Sequence, residues 1–127
     1  GIIYDAHIMT GVAGKGRGVE NAAALAEFFN RTRPGRITNF SMFIHKETPL
    51  YGLVQNGKFT PADELENLEE ERALIERLEI AAAYDGLHDF VPFRFQGKLP
   101  SDRAKMLEKL DTAIAAQKKK PPVVALV

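Results

Sequence analysis

The chain contains no cysteine. That absence excludes disulfides, a thiol nucleophile and any thiolate site for zinc or an iron–sulfur cluster. Excess charge is missing as well: 17 Lys and Arg face 17 Asp and Glu. A balance near zero supplies no field to recruit nucleic acid or an anionic membrane, so neither is expected as a partner. Histidine is sparse. His7, His45 and His88 lie far apart, and none has the i, i+4 spacing of a helical metal pair, so no metal site is expected. Long hydrophobic runs are absent, and no segment approaches the roughly 20 residues needed to cross a bilayer. The opening GIIYDAHIM lacks the basic region and long apolar stretch of a signal peptide. A cytoplasmic protein is the expectation.

What remains is enough for one core. A chain of 127 residues suits one domain and buries roughly 65% of its unfolded surface. A hydrophobic content of 45% argues against disorder. The chain opens on Gly and enters an apolar run at once, which suggests a piece of something longer. Its last stretch, KKKPPVVALV, reads as a basic and proline-containing tail over residues 118–127, with the lysines as a solvated helix end.

The first third reads as strand, Gly-rich loop, helix, strand. Residues 2–9 form a β-like run, and Gly11, Gly14, Gly16 and Gly18 punctuate the loop after it. Residues 19–32 are helical, and Arg33-Pro34-Gly35 breaks them. Residues 36–44, RITNFSMFI, form a second strand. The pattern predicts a βαβ unit with parallel strands. Pro49 opens a short helix to Asn56, ended by Gly57. Thr60 caps a longer helix that starts at Pro61 and ends near Leu78, with Leu65, Leu68, Ile75 and Leu78 as its apolar stripe. Glu64, Glu66, Glu69, Glu70, Glu71 and Glu76 read as its solvated acidic face. A short strand over residues 78–84, a turn at Asp85-Gly86 and an edge strand over residues 90–95 come next. Gly97-Lys98-Leu99-Pro100 makes a second turn. Ser101 caps a last helix reaching Gln117, with Met106, Leu107, Leu110, Ala113 and Ile114 on one face.

Chemistry concentrates in the first third. The loop from Thr10 to Gly18 follows a strand and opens a helix, where backbone N–H groups can cradle an anion. Its Gly spacing fits neither a Walker A loop nor the dinucleotide fingerprint, which leaves a ligand-facing loop or a flexible turn. Such dense glycines imply positive φ or a close-approaching ligand. His7 and His45 fall towards the carboxyl edge of a parallel pair, where α/β folds place ligands, and Lys15 and Arg17 can bind a carboxylate or phosphate. A Ser41–His–Asp5 triad lacks a nucleophile elbow around Ser41 and is set aside.

Several segments in order resemble one family. They are His7-Ile8-Met9-Thr10-Gly11-Val12-Ala13-Gly14-Lys15-Gly16-Arg17 with Glu20-Asn21-Ala22, then Thr48-Pro49-Leu50-Tyr51, then the helix from Pro61. The stretch from Asp89 to Arg103, with Gly97-Lys98-Leu99-Pro100-Ser101-Asp102-Arg103, completes the set. Together they resemble the C-terminal part of the radical S-adenosylmethionine (SAM) iron–sulfur oxidoreductases, over residues 1–117. The resemblance implies an α/β fold, the C-terminal part of a (β/α)6 partial TIM barrel: a parallel βαβ unit followed by helices and a short edge strand. Residues 2–9 and 37–44 stand for about the fifth and sixth barrel strands, which in the family help hold the adenine of SAM. Against the family's GxIxGxxE fifth-strand pattern only Gly11 matches outright, Met9 replaces Ile, and the Glu is missing. The family holds a 4Fe–4S cluster on a CxxxCxxC loop, absent here.

The resemblance implies that the parent enzyme uses SAM and a 4Fe–4S cluster, that this chain alone holds neither, and that it is inactive alone. Ile8, Met9, Gly11, Phe43 and Ile44 are the implied cofactor wall; His7, Lys15, Arg17 and His45 are the candidates for substrate contact. The implied partner is the N-terminal half of the same polypeptide, with a small-molecule or macromolecular substrate. A half barrel leaves an open edge, so a homo-oligomer is expected of the fragment. The rival reading is a stand-alone α/β module that binds a small anion on the Gly-rich loop without catalysis.

Overall fold

A computed structural model describes residues 2–127. β1 (Asp5–Thr10) and β2 (Arg36–Ser41) are parallel neighbours joined by α1 (Gly18–Thr32), as the βαβ pattern requires. β3 (Ala82–His88) adds parallel to β2, and β4 (Phe93–Leu99) pairs antiparallel with β3, giving a four-stranded mixed sheet in the order β1-β2-β3-β4. α2 (Pro49–Gln55), α3 (Glu64–Arg77) and α4 (Arg103–Lys118) complete the α/β fold. No helix among the described residues is long and apolar enough to cross a membrane.

The core lies on one side of the sheet. Strand side chains alternate between faces, so Ile37, Tyr84, Phe95 and Leu99 share a face. They bury against Ala22, Ala26 and Phe29 of α1, Leu68, Leu74 and Ile75 of α3, and Met106 and Leu110 of α4. Each large aliphatic side chain so buried contributes about 1.5–3 kcal/mol. The opposite face is uncovered: Asp5, His7, Met9, Arg36 and Phe40 are exposed on it.

Several boundaries move from where the pattern alone puts them. Ile2 and Ile3 stay exposed, and the first strand starts only at Asp5. The second strand ends at Ser41; Ile44 leaves the sheet and pairs with Leu126 of the chain's end. The last stretch is thereby tied down, for Glu64 N also donates to Val123 O at 2.8 Å. α3 begins at Glu64 rather than Pro61. Asp63 builds a reciprocal capping box with Glu66 (2.9 and 3.0 Å), which satisfies two orphan amides where Thr60 would satisfy one.

The largest local corrections concern residues 78–102. Asp85-Gly86 is not a turn but the middle of β3, because a side chain at Gly86 would collide with the Glu71 carboxylate and the Phe95 ring. Burial of a helix carboxylate therefore selects the glycine, which imitates a turn signal. Gly97 likewise sits in β4, where a Cβ would strike Met106, and the turn follows at Pro100 to Asp102. Pro92 precedes β4 instead of lying within it. Ser101 does not cap α4. Its hydroxyl donates to Lys98 O (3.2 Å), while the Asp102 carboxylate accepts from Lys98 N (2.8 Å).

Candidate functional site

β1, β2 and β3 end side by side, and their last residues, Thr10, Ser41 and His88, are all polar and all buried. α3 meets this edge with Glu64, Asn67, Glu70 and Glu71, none more than 3% exposed. The expected solvated acidic face is thus half wrong: three of its carboxylates lie inside the protein.

His88 is the hub. Its Nε2 donates to Glu71 Oε2 at 2.7 Å and its Nδ1 to Glu64 Oε2 at 3.4 Å. Burial alone would lower the imidazole pKa, but the hydrogen bonds and charges of Glu64 and Glu71 outweigh it and raise it to about 9. His88 is therefore an imidazolium at neutral pH. Glu71 Oε1 accepts from Tyr84 OH (2.8 Å) and Asn39 Nδ2 (3.0 Å), and Glu64 accepts from Ser41 Oγ (3.3 Å) and Asn67 Nδ2 (3.2 Å). Burial and the Glu71 charge push the Tyr84 phenol well above its usual range. Both ring nitrogens of His88 are engaged by carboxylates, and no group among the described residues is arranged to hold a metal ion.

Glu70 and Glu66 shape the Gly-rich loop from below. Glu70 accepts from Gly11 N and Asn21 Nδ2, both at 2.9 Å, yet its pKa is raised because burial outweighs those bonds. Glu66 accepts from Gly16 N (2.9 Å) and pairs with Lys15 (3.4 Å). Burial would raise its pKa, but these bonds, the amide of Asp63 and the Lys15 charge together outweigh it and lower it. Gly14 N, Lys15 N and Arg17 N are taken by Gly11 O, Thr60 O and Gly14 O. Gly11 adopts φ +92°, and a Cβ there would meet Asn67 Oδ1 at 2.8 Å, which gives that glycine its reason. The loop does cradle anions, but they are two carboxylates of its own chain.

The residues singled out from sequence are scattered by strand alternation. Met9 points to the bare face and is 47% exposed, whereas Ile8 beside it points to the helices. Phe43 is exposed and meets the Phe90 ring at a tilt, centroids 6.3 Å apart, while Ile44 is buried against the chain's end. Gly11 is held by Glu70. His7 shares the bare face with Met9; Lys15 pairs with Glu66 and Arg17 with Glu20 (3.4 Å each). His45 is exposed, and its Nδ1 accepts from Glu47 N at 3.2 Å. No hydrogen bond or ion pair among the described residues joins the four substrate candidates to one another. Register instead places Met9 opposite Phe40 and Phe40 opposite Leu87, an apolar row across the carboxyl ends of the parallel strands. Phe40 and Leu87 were not legible as site residues, because their partners come from strands far along the chain.

Comparisons with protein-family models, curated proteins and solved structures return no match.

Proposed function

We propose that this chain is the C-terminal part of a radical SAM oxidoreductase, supplying one wall of the cofactor and substrate chamber and performing no redox chemistry by itself. The observation that carries the reading is the one-sided sheet. Three parallel strands have every packed helix on one face, and an apolar row of Met9, Phe40 and Leu87 crosses their carboxyl ends on the other. In a partial barrel the helix-free face is the interior, and ligands sit at the carboxyl ends. The unpaired edge of β1 is where a preceding barrel strand would add. The segment order around Gly11, Pro49 and Asp102 supports the same family.

The residues present do not fit the cluster: a chain without cysteine offers it no thiolate. Its ligands would come from the N-terminal half of the polypeptide. What this chain offers S-adenosylmethionine is apolar contact, with Met9 and Phe40 against the adenine and His7 within the same face. Stacking of a base is worth about 1–2 kcal/mol, which by itself gives affinity weaker than millimolar.

The rival anion-binding module has a specific observation against it. The amides of Gly11, Gly14, Lys15, Gly16 and Arg17 are already hydrogen-bonded within the chain. An NMR titration separates the two readings. S-adenosylmethionine should shift Met9, Phe40 and Leu87 without saturating at millimolar concentration, and phosphate should leave residues 11–18 unmoved. A micromolar constant for either ligand, or phosphate shifts in the loop, overturns the wall reading. An open reading frame with CxxxCxxC upstream of Ile2 would strengthen it.

A further inference from the structure

The helix side of the sheet holds a cleft that the bare-face reading does not use. It opens between α4 and the segment entering β4, with a volume of about 510 Å3. That falls within the usual range of small-molecule sites, about 300–1,000 Å3. Its walls are apolar: Leu68, Val91, Phe93, Ala113 and Ala116. Polar capacity is confined to a few groups. Thr112 already donates its hydroxyl to Glu108 O at 3.1 Å, and Lys109 donates to Arg94 O at 3.2 Å. Gln117 is different. It is only 6% exposed, it lines the cleft, and its side-chain amide makes no hydrogen bond among the described residues. Its amide atoms are not sealed from solvent but open on the cleft, where a polar group of a ligand can take the place of water. Lys105, Lys109 and Lys120 stand around the mouth against a single acid, Glu108. Neither Lys105 nor Lys120 makes an ion pair among the described residues.

We propose that this cleft binds a single-chain amphipathic carboxylate. The apolar chain lies over Leu68, Phe93 and Ala113. The carboxylate accepts from Gln117 Nε2 and from a lysine of the rim. Apolar walls require the chain, and the excess of lysine selects an anionic head over a cationic one.

The test uses the whole chain and decanoate below its micelle concentration, followed by amide NMR shifts. Decanoate should shift residues 113–117 and 91–93 saturably. Decyltrimethylammonium, with the same chain and inverted charge, should bind about tenfold more weakly. Ala116→Trp fills the cleft from an exposed helix position and should abolish the shifts. Gln117→Leu keeps the volume and should weaken decanoate severalfold while leaving decyltrimethylammonium unchanged. It serves as the second arm if the Trp variant does not fold. Equal affinity for the two amphiphiles, undiminished binding in either folded variant, or shifts only with anionic phospholipid vesicles would each overturn the proposal.

Discussion

α3 and α4 are packed neighbours of similar length, 14 and 16 residues, buried by opposite means. α4 buries Met106, Leu110 and Ile114, and its acids Glu108 and Asp111 stay in solvent. α3 buries Leu68, Leu74 and Ile75 but also Glu64, Asn67, Glu70 and Glu71. The first is held by transfer of apolar surface, which needs no particular partner. The second is held where each carboxylate meets donors from other elements: His88 and Tyr84 on β3, Asn39 and Ser41 on β2, Gly11 after β1. A polar core of this kind positions α3 against the carboxyl edge of the sheet, whereas an apolar stripe would tolerate sliding.

The comparison is sharpest when one residue is removed from each helix. Glu71→Ala leaves the His88 imidazolium, the Tyr84 hydroxyl and the Asn39 amide without their acceptor, at about 3–5 kcal/mol. Leu110→Ala removes a fully buried side chain from α4 and should cost about 3 kcal/mol. Urea denaturation of both variants measures the difference. If Glu71→Ala were the milder, the network would be passive filling rather than what fixes α3.

Alkaline pH offers a second way to break α3 alone. The folded pKa of His88, about 9, stands above its ordinary 6.5. Its contribution is therefore full below pH 6.5 and is lost as pH rises through 9. Between pH 7 and about pH 9.5 the loss should reach about 2–3 kcal/mol. The groups facing His88 do not reverse the sign. Glu64 and Glu71 are its acceptors, and Tyr84 stays neutral in this window because its pKa is raised further. Glu70 has a raised pKa too, so its ionisation also acts against the fold with rising pH, but over a lower range. Urea midpoints at both pH values, with an NMR titration of the His88 ring, test this. A ring midpoint at or below 6.5 would remove His88 as the charged hub.

The same contrast explains what was legible in the sequence. The βαβ unit, the helix of residues 103–118 and its apolar face follow from local periodicity, and the structure has them. The face of α3 does not, because acids in a helix default to solvent and their partners outside the helix lie 13 to 59 residues away. One signal was present. Glu64, Leu68, Glu71, Ile75 and Leu78 repeat at intervals of four and three, so Glu64 and Glu71 occupy the apolar stripe rather than its opposite face. Met9 was legible as a strand residue. Its row with Phe40 and Leu87 was not, since register across strands is set by packing that no local window contains.

The weakest link between the two helices should also be the smallest effect. Arg72 of α3 donates to Glu76 of its own helix at 3.1 Å and to Asp111 of α4. Its side chain is about a third exposed and both acids are more so, so water screens what the pairs gain. Arg72→Met keeps most of the apolar stem and removes only the charge, and should cost about 0.5 kcal/mol at low salt. At about 1 M salt the Debye length falls to about 3 Å, and the difference between the variant and the parent should vanish. The cost of Glu71→Ala should persist there, because its network is out of reach of counterions. Equal salt sensitivity in the two variants would mean that the interior of α3 is wet, and the contrast between the helices would then fail.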